Sequence, residues 1–131
     1  MATRPRILIA DADIALLKMI THALEHHGAE VVIASCADEL VERIADGPYA
    51  LLVADVSMPW MGLQAMYSAR NRGLSAPLLV LSMLRRGDID AHIAALGGDI
   101  ALLRKPFRLT TFESAVARLL HLPGVRLGAP S

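Results

Sequence analysis

Asp11, Asp55, Ser82 and Lys105 carry the side chains in this sequence best suited to chemistry on a phosphoryl group. Each is the first suitable polar group after a short aliphatic run: RILIA before Asp11, LLVA before Asp55, PLLVL before Ser82, and IALL with one arginine before Lys105. Two carboxylates at close range repel unless a cation stands between them. A hard divalent ion with oxygen ligands, magnesium above all, suits that position. Lysine adds a compact positive charge for an incoming anion. A serine hydroxyl can donate a hydrogen bond to the same anion. A carboxylate nucleophile, a metal, an ammonium and a hydroxyl together suit transfer of a phosphoryl group to the carboxylate.

Bringing the four together requires a particular architecture. Strands are expected over residues 6–10, 30–34, 51–54, 77–81 and 100–103, all short and apolar. Between them lie stretches of helical character. Residues 14–27 place Leu16, Leu17, Ile20, Ala23 and Leu24 at helical spacing, with Gly28 as a stop and His26 and His27 in the last turn. Residues 37–45, 63–71 and 87–96 read as further helices, and a last one runs from a cap at Thr110 or Thr111 to Leu120. Strands alternating with helices imply βαβ units and a parallel sheet covered on both faces, a three-layer doubly wound α/β fold. In such a sheet ligands bind outside the carboxyl ends of the strands, where the four polar residues fall.

Composition narrows the alternatives. The chain has 131 residues, enough for one domain with a real core, and 54% of them are hydrophobic, which argues against disorder. Its 13 basic and 13 acidic residues cancel, so no basic field recommends nucleic acid or an anionic membrane as partner. A single cysteine, Cys36, excludes an internal disulfide and a cysteine-rich zinc site. It is expected to be a small core residue in a chain of the reducing cytosol. Acid appears too early for a signal peptide, and no apolar run approaches the length of a membrane helix.

With these pieces in place, the sequence resembles the response-regulator receiver domains of two-component signalling. The matching segments are RILIADAD, YALLVADVSMP, PLLVLS and RKPF, spread from about Arg6 to Leu120. The resemblance implies a flavodoxin-like (βα)5 sheet in the order 2-1-3-4-5, with Asp55 as phosphoacceptor. It implies magnesium held by Asp11, Asp55 and the backbone carbonyl of Ser57, with Ser82 and Lys105 meeting the phosphoryl group. It also implies a cis Lys105–Pro106 bond, a histidine kinase or phosphotransfer protein as donor, and a cytoplasmic, bacterial setting.

The sequence departs from that family in three places. Two adjacent acids are usual after the first strand, and here they read Asp11-Ala12. The missing acid is the one that touches the metal directly, so magnesium binding should be weakened, unless Asp13 turns inward. Trp60 stands in the loop after Asp55 where a small residue is usual, either anchoring a partner or folding back over apolar surface. Leu102 replaces the aromatic switch residue of the fifth strand.

Some residues have plainer readings. Asp11 can cap the first helix or serve as a ligand. His22 and His26, one helical turn apart, lack an evident third ligand and read as solvent-exposed. Asp38, Glu39 and Glu42 read as an exposed acidic helix face.

The expectation is a stand-alone receiver domain over residues 1–122 with a short tail over 123–131. It would signal through altered protein contacts with a downstream target, and its last strand and flanking helices are a candidate homodimer face. The alternative is a pseudo-receiver, a phosphorylation-independent interaction module. No enzyme activity is expected beyond self-phosphorylation and self-dephosphorylation. Another flavodoxin-like binder lacks support, since no glycine-rich phosphate loop follows the first strand.

Overall fold

The computed structural model describes residues 4–55, 67, 70, 75–83 and 96–121, with backbone only at residue 37. Five strands form the sheet: β1 Arg6–Ala10, β2 Glu30–Ala34, β3 Leu51–Asp55, β4 Leu78–Ser82 and β5 Ile100–Arg104. They lie in the order β2-β1-β3-β4-β5, every pair parallel. Three helices are described: α1 Ile14–His26, α2 Ala37–Ile44 and α3 Leu109–Leu119. The expected helices over 63–71 and 87–96 fall largely outside the described residues, although Tyr67 and Arg70 are helical.

The apolar strand sequences follow from burial on both faces. Along β1, β3 and β4 alternate side chains enter opposite cores. Ile7, Ile9, Leu51, Val53, Leu79 and Leu81 meet Leu17, Ile20 and Leu24 of α1 and Phe112 and Val116 of α3. Leu8, Ala10, Leu52, Ala54, Leu78 and Val80 meet Leu40 of α2 and Tyr49 on the other side. The three central strands therefore have no solvated face, and their carboxyl ends are fixed against two packed layers.

The helix ends show where side-chain chemistry overrides a first reading. Asp13 is the N-cap of α1, its carboxylate accepting the Leu16 N–H. Asp11 is therefore not the cap. At the other end, Gly28 takes φ +92, its N–H bonds the Glu25 carbonyl, and the Ala29 N–H bonds the Leu24 carbonyl. That is a Schellman closure, and the left-handed position accounts for glycine there.

The last helix begins at Leu109 behind Arg108, not at a threonine cap. Thr110 lies inside its first turn, where Leu109 and Phe112 are drawn toward the core. Cys36 is exposed at the N-cap of α2, not in the core, because the core side of that helix is taken by Leu40 and Ile44. Glu39 is tied back to Ser35, accepting its backbone N–H at 2.7 Å and also its hydroxyl. Those bonds hold the Glu39 carboxyl below its ordinary value, the Ser35 hydroxyl contributing most.

Candidate functional site at the strand ends

Asp55 closes β3, Ser82 closes β4, Asp11 follows β1 and Lys105 follows β5. Parallel pairing sets the four at one rim of the sheet. Asp55 lies in register with Leu81, and Ser82 with Arg104. Backbone bonds refine the placement. The Asp11 N–H donates to the Ala34 carbonyl at 3.1 Å, and the Lys105 N–H donates to the Ser82 carbonyl at 2.8 Å. The Lys105–Pro106 bond is cis, as the family resemblance implied, and so is Gly47–Pro48. Just beyond, Phe107 stacks on the fully buried Phe112 of α3, with centroids 5.7 Å apart, which anchors the segment carrying Lys105.

All three acceptor and hydroxyl groups are buried: Asp11 is 1% exposed, Asp55 5% and Ser82 0%. The Lys105 ammonium enters between the carboxylates, 2.8 Å from Asp55 Oδ2 and 2.7 Å from Asp11 Oδ2. It donates a hydrogen bond to Asp55. Its contact with Asp11 Oδ2 is an ion pair at 2.7 Å. Burial alone would lower the Lys105 pKa, but the two carboxylates outweigh it and raise the group above its ordinary value. Lys105 therefore stays protonated across the physiological range.

Asp11 Oδ1 accepts the Asp13 N–H at 2.8 Å, an Asx turn leading into α1. Asp13 itself is exposed, with its carboxylate spent on the cap. It does not turn inward to replace the acid missing at Ala12. Beside the site, a shallow groove is lined by Asp13, Leu16, Met83, Lys105, Pro106 and Phe107, with Met83 67% exposed.

The contacts of Lys105 with Asp11 and Asp55 are additional to its expected place beside a phosphoryl group. No local signal marks a contact between side chains so far apart in the chain. His22 and His26 are exposed on α1, as expected. Among the described residues no group of three or more histidines, cysteines or acids is placed to hold a metal. Ser57 and Trp60 lie outside the described residues.

Comparison with known proteins identifies the family. The model of the response regulator receiver domain matches residues 7–117, and the chain belongs to that family. It is 34% identical over 119 residues to the response regulator MprA of Mycobacterium ulcerans, covering 89% of this chain and 49% of that protein. The chain thus spans about half the length of the curated relatives it matches. Among solved structures it resembles the chemotaxis protein CheY4 of Vibrio cholerae, at TM-score 0.81 and 23% identity over 89% of this chain and 99% of that one. The receiver domain of Francisella response regulator 1452 matches at TM-score 0.79 and 25% identity, over 90% and 98% of the two chains. The flavodoxin-like fold and the strand order are those of these neighbours.

Receiver domains typically bind magnesium, and the described residues here fit that ion poorly. Magnesium takes few protein carboxylates in near-ideal octahedral geometry. Ala12 offers no oxygen, Asp13 is committed to its cap, and an ammonium already bridges Asp11 and Asp55.

Proposed function

We propose that this receiver domain accepts a phosphoryl group on Asp55 from a histidine kinase or phosphotransfer protein and signals through altered protein contacts. The observation that carries the reading is the Lys105–Asp55 pair at 2.8 Å, with Ser82 ending the neighbouring strand. In the transfer, an Asp55 carboxylate oxygen forms a bond to phosphorus while the bond to the donor's leaving group breaks. Lys105 exchanges its carboxylate partner for a phosphoryl oxygen, and Ser82 donates a hydrogen bond to another. Magnesium held by Asp11, Asp55 and the Ser57 carbonyl is at most a weak participant, and no step is assigned to it.

The domain is read as residues 1–122 with a tail over 123–131, acting in the cytoplasm of a bacterium. Among the described residues no helix is long and apolar enough to cross a membrane. β5 is an edge strand whose residues keep part of their surface, which supports a homodimer or target face there and on the helices beside it.

Incubating the chain with acetyl phosphate, with and without magnesium, tests the reading. A hydroxylamine-sensitive mass increase of one phosphoryl group should form on the wild type and be absent from Asp55→Ala.

One observation favours a second reading, a pseudo-receiver that works without phosphorylation. The carboxylate pair is already neutralised in part by Lys105, and Asp13 is unavailable as a replacement ligand. Magnesium-dependent beryllofluoride binding would exclude it.

A further inference from the structure

We infer that Lys105 is the standing cation of this acidic rim, occupying the role a divalent metal would fill, and that Ala12, by leaving the rim without a third carboxylate, lets the ammonium keep the metal out. The inference borrows from the proposed function only the location of the site. Its test uses no phosphodonor, so it can fail while Asp55 phosphorylation stands, and the reverse.

Asp11, Asp55 and Lys105 form a cluster with two anionic groups and one cationic group, set among side chains that are almost fully buried. Two buried carboxylates this close need a counter-ion. The ammonium supplies it to both, at 2.7 and 2.8 Å. A divalent ion entering the same space would have to displace the ammonium from Asp11 or leave like charges in contact. A third carboxylate would favour the metal, since it would add an anion that one ammonium cannot serve.

Among the described residues no such group stands at the rim. Ala12 has no ligand atom, and its exposure leaves room for a longer side chain there. Asp13 accepts the Leu16 N–H, so recruiting it would uncap α1. Asp11 Oδ2, the buried atom that would invite a cation, already meets the ammonium at 2.7 Å. The site is thus built around a covalently tethered monovalent cation whose presence does not depend on the ionic composition of the medium.

Isothermal titration of magnesium chloride and manganese chloride into the full chain, with thermal melts in EDTA and in millimolar magnesium, tests this. The wild type should show no saturable magnesium binding through the low millimolar range and no magnesium-dependent shift in melting temperature. Ala12→Asp should bind both ions, magnesium more tightly than the wild type by roughly tenfold or more, the scale on which supporting groups act at metal sites. Lys105→Gln should melt lower in EDTA and recover in magnesium, because the metal then takes the vacated position. Saturable wild-type binding below the millimolar range would overturn the inference. So would an Ala12→Asp protein that binds no more tightly than the wild type, or a folded Lys105→Gln protein whose melting ignores magnesium. Should Lys105→Gln not fold, the wild-type and Ala12→Asp titrations still decide the matter.

Discussion

Lys105 Nζ stands 2.7 Å from Asp11 Oδ2, on a carboxylate only 1% exposed, across the width of two intervening strands. This contact changes the reading of the site. Asp11 does not cap α1, whose N-cap is Asp13. It is one half of a carboxylate pair that Lys105 holds together, with Asp55 as the other half.

Removing the Lys105 charge should therefore cost stability as well as function. Breaking a buried ion pair by deleting one partner costs about 3–5 kcal/mol. Lys105 keeps some solvent contact, its side chain 14% exposed, so Lys105→Gln is expected to fall at or just below that range, about 2–3 kcal/mol. Urea unfolding should show the midpoint falling with an unchanged slope. Asp11→Asn should cost less, since Lys105 retains Asp55.

The same pair predicts an alkaline dependence. The folded-state pKa of Lys105 is raised by its two carboxylates, against the lowering effect of burial. A raised pKa contributes stability that is complete below the ordinary lysine value, about 10.4, and is lost as pH climbs through the folded value. The stability gap between wild type and Lys105→Gln should be flat from neutrality to about pH 10 and narrow above it. Tyr49 titrates with the same sign, its pKa raised chiefly by burial. It is present in both proteins, so the gap isolates Lys105.

Asp13→Ala separates a cap from a ligand. Loss of the bond to the Leu16 N–H should destabilise the domain by about 1 kcal/mol. Phosphoryl transfer to Asp55, measured by mass, should persist. Abolished transfer in a stable Asp13→Ala protein would assign Asp13 a role at the site.

Gly28→Ala tests the closure of α1. An added Cβ would meet nothing within 4 Å, so any cost comes from the backbone at φ +92. A loss of about 1 kcal/mol is expected by thermal or urea unfolding. A neutral substitution would contradict the Schellman assignment.

The sheet was legible in the sequence because its central strands are buried on both faces. Ile7 through Ala10, Leu51 through Ala54 and Leu78 through Leu81 have no solvent side to encode, so each appears as an unbroken apolar run. The rim residues followed from those runs, since each is the polar group that ends one. Helix caps were harder to read. Asp11 and Asp13 are alike as acids before a helix, and only the Asx turn at Asp11 decides which of them caps. Thr110 and Thr111 are the cap-type residues there, yet packing of Leu109 and Phe112 places the start earlier, behind Arg108. The ion pair of Lys105 with Asp11 left no trace in the sequence, because charge reach across a folded sheet has no periodicity.

The most direct test of the account is intact-mass analysis of wild type and Asp55→Ala after exposure to acetyl phosphate. One hydroxylamine-labile phosphoryl adduct is expected on the wild type and none on Asp55→Ala. An adduct that survives in Asp55→Ala, or a wild type that gains none even when sampled within the lifetime of an acyl phosphate, would contradict it.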